Sequence, residues 1–130
     1  MGGRGTFAAG KIVKYAYFTI GTIEGVKVLA GLNGRHKLPE EAHSSYAYIR
    51  LEPDGTFHEM RIYDKDHFLR FEIAYHPEPS LDPRRRKILH WHVYDRNFKR
   101  SQAMPMSRAM IRHFKKYLKG VSRYDRRGHK

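Results

Sequence analysis

Apolar and polar side chains alternate with period two through four segments of the chain, and that alternation predicts strands whose side chains divide between two faces. From Ser45 to Glu52, Ala47, Ile49 and Leu51 oppose Tyr46, Tyr48 and Arg50. From Thr56 to Asp64, Met60 and Ile62 oppose Glu59, Arg61 and Tyr63, and parity puts His58 on the apolar side. From His67 to His76, Leu69, Phe71, Ile73 and Tyr75 oppose Arg70, Glu72 and His76. From Lys87 to Asp95, Leu89, Trp91 and Val93 oppose His90, His92 and Tyr94. The connections "PDG" and "KD" are short enough to predict antiparallel neighbours, while the Pro/Arg-rich stretch "PEPSLDPRRR" separates the third strand from the fourth. Upstream, "KIVKYAYFTIG" and "IEGVKVLAG" are shorter β-prone runs broken by glycines, and "GLNGRHKLPEEAHSS" reads as a loop.

The period then changes. Met106, Met110, His113, Phe114, Tyr117 and Leu118 recur at helical spacing, with Arg108, Arg112, Lys115, Lys116 and Lys119 mostly on the other side. Pro105 suits the first turn and Gly120 the stop. The expected fold is α+β, an antiparallel sheet of four or more strands with this amphipathic C-terminal helix packed on one face. One domain is expected over residues 1–130, with mobile tails at about 1–10 and a basic stretch at about 121–130.

Charge narrows the class of partner. Lys and Arg number 26 against 13 Asp and Glu, a formal charge of +13, and the sequence pI is about 10.2. Such a surface attracts polyanions, so nucleic acid is the expected partner, ahead of an anionic surface or an acidic protein. With no cysteine, disulfides, thiolate ligands and cysteine nucleophiles are excluded. No run of about 18 apolar residues appears and "MGGRGTFAAGK" lacks the regions of a secretory signal, so the expectation is a protein without a membrane span, made in the cytosol of its cell.

If the apolar sets face the core, the opposite face gathers His76, His90, His92, Glu72, Arg70, Arg61, Glu59 and several tyrosines. That inventory suits metal-independent cleavage of RNA. Histidine and glutamate can take the proton of the 2′-hydroxyl and return one to the leaving 5′-oxygen near neutral pH, and an arginine can hold the phosphate through bidentate hydrogen bonds. The candidate catalytic residues are therefore His90, His92, His76, Glu72 and Arg70. The candidate nucleic-acid contacts are Arg61, Tyr94 and the run Arg84, Arg85 and Arg86. This reading needs no metal and no cofactor, and it places RNA ahead of DNA. A second reading uses His90 and His92 with His76 or Glu72 as a three-ligand N/O site for zinc or iron. The bland alternative is a half-solvated sheet with polar residues on its wet side, with His58 an ordinary core or edge residue and His113 a boundary residue of the helix.

The ordered series "GTIEGVKVL", "LPEEAHSS", "YIRLEPDGTFHEMRIYD", "FEIAYHPE" and "ILHWHVYD", behind a "GGRG" start, resembles small proteins and C-terminal domains encoded in prophages beside head-morphogenesis genes. The resemblance spans nearly the whole chain and implies a phage-associated protein in a bacterial host cell, with virion association, phage head components or an immunity protein as conceivable partners. More distantly, His76, His90 and His92 on a four-stranded sheet are similar to the residue types of the barnase/EndoU/colicin/RelE-like toxin nucleases. No N-terminal helix with a catalytic lysine is apparent, so that likeness does not assign acid and base. Fold analogy alone does not fix function.

Overall fold

The computed structural model describes residues 5–6, 13–14, 17–31, 38–42 and 45–121. The expected mobile tails, residues 1–10 and 121–130, lie outside the described residues apart from Gly5, Thr6 and Val121. A two-residue pair, β1 (Gly5–Thr6) with β2 (Val13–Lys14), stands apart from the main sheet.

The main sheet has seven strands in sequence order: β3 (Tyr17–Ile23), β4 (Val26–Gly31), β5 (Ala47–Leu51), β6 (Phe57–Tyr63), β7 (Leu69–Pro77), β8 (Lys87–Val93) and β9 (Met104–Pro105). The four strands read from alternation are β5 to β8, and all their pairings are antiparallel. Their turns follow from local chemistry. Asp54 accepts the Thr56 N–H at 2.9 Å and Gly55 takes φ 89°; Asp64 accepts the N–H groups of Asp66 and Phe68 at 2.8 and 3.1 Å. Glu24 and Gly25, both at positive φ (49° and 83°), turn β3 into β4 as a two-residue primed turn does. One pairing departs from the antiparallel expectation: β4 and β5 run parallel, Val28 beside Ile49. The chain between them must therefore cross the sheet, and Leu38–Ala42 of that crossing lie over it.

The helix is shorter than its pattern suggested. α1 covers Arg108–Phe114, followed by a 3-10 turn, Lys115–Tyr117. Ser107, not Pro105, opens it, its hydroxyl accepting the Met110 N–H at 3.1 Å, while Pro105 belongs to β9. Gly120, at φ 78°, ends the segment as expected. Met106, Leu118 and Val121, with Met110, Ile111 and Phe114 beside them, cover Ile49, Met60, Ile73, Tyr75 and Leu89 on the apolar face. Each such aliphatic side chain contributes about 1.5–3 kcal/mol by leaving water. Among the described residues, no helix is long and apolar enough to cross a membrane.

Two bulges break the period-two reading. Leu51 pairs with Phe57 but Arg50 with Glu59, so His58 is an extra residue and joins the face opposite Met60. Likewise Ile62 pairs with Phe71 but Tyr63 with Leu69, leaving Arg70 extra. Leu69 accordingly packs with Tyr48, Tyr63 and Tyr94, on the side opposite the helix.

Candidate functional site

The face opposite the helix is polar, as its sequence indicates, yet it is not wet. Leu38 and Ala42 pack on Tyr48, Tyr63, Leu69 and Tyr94 to form a second small core, and Glu59, Arg61, Glu72, His90 and His92 are all buried beside it. Buried charges must be paired or neutralised, and here both happen.

Arg61 and Glu72 sit directly opposite on β6 and β7. The Arg61 Nε donates to Glu72 Oε2 at 3.0 Å, and an Arg61 terminal nitrogen donates to the Leu38 carbonyl at 2.6 Å. The Tyr94 hydroxyl donates to the other Glu72 oxygen at 3.1 Å. Glu59 accepts the Leu38 N–H at 3.2 Å and hydrogen-bonds to Glu72. Burial, and then the Glu72 carboxylate, push the Glu59 carboxyl up to about 8. Burial would raise Glu72 too, but the Glu59 hydrogen bond and the Arg61 guanidinium outweigh it and bring Glu72 to about 2. At neutral pH the pair thus holds one proton, on Glu59, and the Arg61–Glu72–Glu59 group is neutral as a whole.

Next to this network runs a row of imidazoles. Ring centroids are 5.8 Å apart from His58 to His76, 4.7 Å from His76 to His90 and 5.3 Å from His90 to His92. His58 meets Glu52 at 2.7 Å, and the row passes inward from there to His90 and His92, whose residues are 0% and 1% exposed. The His90 Nδ1 lies 2.8 Å from the Ile88 carbonyl and the His92 Nδ1 2.9 Å from the Ser101 carbonyl. A carbonyl only accepts, so each Nδ1 carries the proton and each Nε2 presents its lone pair. Both Nε2 atoms are buried without a hydrogen-bond partner. Burial pushes His90 down to about 4 and lowers His92 as well, so both rings are neutral at pH 7. Glu78, in the connection after β7, brings a carboxylate to these two rings; its oxygen and one nitrogen of each imidazole all lie within 4.8 Å of one another.

The residues expected from sequence are thus divided. His76, His90 and His92 come together. Glu72 is held by Arg61 and Tyr94 rather than by an imidazole hydrogen bond. Arg70, displaced by the bulge, pairs with Asp64 at 2.9 Å and donates to the Asp95 carbonyl at 3.2 Å, outside the cluster. Arg61 and Tyr94, expected to touch a nucleic acid, spend their polar groups inside the sealed network. In the turn before β8, the buried Asp82 accepts the Arg84 N–H at 3.0 Å and holds the Arg86 Nε at 2.9 Å, while Arg84 and Arg85 are exposed.

Two residues had no role assigned from sequence. Glu59 was placed on the polar face, but its part becomes apparent only once Glu72 is seen beside it. Glu78 was hidden in a proline-rich connection; the available signal was that it is the first acid after β7, in a segment that must return to the adjacent β8.

Comparison with family models, curated proteins and solved structures returns no match for this chain. Its chemistry must be read from its own residues.

Outside the sealed face, the surface is strongly basic. No Asp or Glu occurs between Asp95 and Val121, while Arg96, Lys99, Arg100, Arg108, Arg112, Lys115, Lys116 and Lys119 are all exposed. Arg108 and Arg112 lie four residues apart within α1, which puts these like charges side by side, and Lys115, Lys116 and Lys119 follow in the turn after it.

Proposed function

We propose that the protein is a phage-associated nucleic-acid-binding protein that takes the phosphate backbone on the outer face of α1 and the turn after it. The observation that carries this reading is the acid-free basic segment from Arg96 to Lys119, with its cations exposed. The like pair Arg108/Arg112 costs α1 about 0.2–0.5 kcal/mol, and a bound polyanion reverses the sign of that cost. The phage association rests on the motif series from "GTIEGVKVL" to "ILHWHVYD".

Salt dependence tests it. Binding of single-stranded RNA and of duplex DNA should weaken with a slope of about 0.7–0.9 in log affinity per log salt for each phosphate contacted. The variant Arg108→Gln/Arg112→Gln/Lys115→Gln/Lys116→Gln should lose affinity for any sequence and flatten that slope by about 3. An unchanged slope in the variant would remove α1 from the interface.

A second reading is an endoribonuclease, favoured by the imidazole row, whose His76 is only partly buried. Because His90 and His92 are buried, this reading requires the connection between β7 and β8 to open before a phosphodiester can approach within hydrogen-bonding distance. RNA incubated with chelator present separates the two readings: products ending in 2′,3′-cyclic phosphate from wild type, and none from His90→Ala/His92→Ala, favour the nuclease, and binding without cleavage favours the first reading.

A further inference from the structure

We infer that Glu78, His90 and His92 form a binding site for one divalent transition metal ion, of the zinc and iron(II) class. This goes beyond nucleic-acid binding and does not depend on it.

Three ligand residues converge at this point: each imidazole offers one ring nitrogen and Glu78 a carboxylate oxygen, these atoms lying within 4.8 Å of one another. The two Nε2 atoms are fully buried and have no hydrogen-bond partner. Buried polar atoms of this kind call for a specific explanation. The Glu78 carboxylate accepts the Ser80 hydroxyl at 2.9 Å, so the two Nε2 lone pairs are the acceptors left without a donor, and a carboxylate converging on two such lone pairs is an arrangement that one cation satisfies.

The hydrogen bonds behind the two rings have the form that metal-binding histidines require. Each ring donates its Nδ1 proton to a backbone carbonyl, Ile88 for His90 and Ser101 for His92. Such bonds fix the tautomer, orient the ring and leave Nε2 as the ligand. The two rings come from alternate positions of β8 on one face, so the strand itself sets their spacing.

The geometry needs little closure. Three atoms no more than 4.8 Å apart put an ion in their plane at most about 2.8 Å from each, against the roughly 2.0–2.2 Å of Zn–N and Zn–O bonds. Each ligand atom must come in by at most roughly 0.6–0.8 Å. Glu78 can supply most of that, since it belongs to a turn and is less buried than the histidines. The donor set, imidazole with carboxylate and no sulfur, selects borderline transition ions over magnesium or calcium. Two histidines and one carboxylate also leave coordination positions for water or a substrate. An ion held this way would tie the start of the turn that carries Arg84 and Arg85 to β8.

The experiment uses untagged full-length protein, stripped with chelator and titrated with Co(II) and then Zn(II). One equivalent of Co(II) should bind with visible d–d absorption and be displaced by Zn(II). In wild type, NMR should show the His90 and His92 Nε2 resonances shifting on Zn(II) addition while both Nδ1 protons remain. Glu78→Gln, a partly exposed site where the fold is not at stake, should weaken binding by more than the about 10- to 100-fold that loss of a hydrogen-bond partner behind a ligand causes. His113→Gln, on the helix, should change nothing. Absence of saturable one-to-one binding, binding in Glu78→Gln equal to wild type, or loss of binding in His113→Gln would each overturn the site.

Discussion

Replacing Glu59 by glutamine tests the shared-proton pair, and its effect can be worked out from the groups described. Glu59 is raised from an ordinary 4.5 to about 8 in the folded chain. A carboxyl raised in this way holds a proton in the native state that the unfolded chain has released, so stability falls as pH rises through that window. Each pH unit of full difference is worth about 1.4 kcal/mol. Below pH 6.5 the trend is opposed, because His90 is lowered from 6.5 to about 4 and His92 is lowered too, so the unfolded chain binds more protons at those rings and stability rises with pH. Above about 6.5 the histidine contribution fades and Glu59 dominates. Stability should therefore peak near pH 6.5 and drop by about 1 kcal/mol by pH 8. Glutamine is neutral at every pH, can donate to Glu72 and can still accept the Leu38 N–H, so Glu59→Gln should abolish the decline from 6.5 to 8 and steepen the rise below 6.5, where Glu59 no longer opposes the histidines. Urea unfolding at half-unit pH steps, with chelator present to keep metal out of the balance, measures both curves. A flat wild-type curve between pH 6.5 and 8, or a decline that persists in Glu59→Gln, would refute the shared proton.

Gly120→Ala should destabilise by about 1–2 kcal/mol, since Gly120 has φ 78° and an added Cβ would meet Thr56 Cγ2 at 3.0 Å; a thermal melt within error of wild type would contradict the left-handed stop. Ile49→Ala, at a fully buried position under the helix, should cost about 2–5 kcal/mol in urea unfolding, and a loss below 1 kcal/mol would mean the helix does not seal that face.

Much of the fold was legible because the strands from Ala47 to Val93 keep a two-residue period except at two bulges, which fixed both faces and the packing of the helix. Reading failed first at His58 and at Leu69 with Arg70. A bulge inserts one residue into one strand only, and parity counted along that strand carries no trace of it. The second failure concerned solvent. Glu59, Arg61, Glu72, His90 and His92 look like a wet face when counted on their own strands. They are buried because residues 38–42 and the connection after Pro77 lie over them, and because charges distant in sequence neutralise one another across the sheet. The parallel pairing of β4 with β5 was likewise not written in either strand, since both directions satisfy the same alternation.

That parallel pairing has a consequence for which side of the molecule is interior. Had β5 run the other way, a tight turn after Gly31 could have entered it, and the tyrosine-lined face would have remained open to solvent. Because it runs alongside β4, the strands cannot be joined by a tight turn, and residues 38–42 of the connection form a roof over that face. The roof is fastened by main-chain groups to side chains beneath it: Leu38 to Glu59 and Arg61, and the Pro39 carbonyl to the Tyr63 hydroxyl at 2.6 Å. The orientation of a single strand thus converts what would be a two-layer protein into a three-layer one, and supplies the dry setting in which a carboxyl keeps its proton near neutrality.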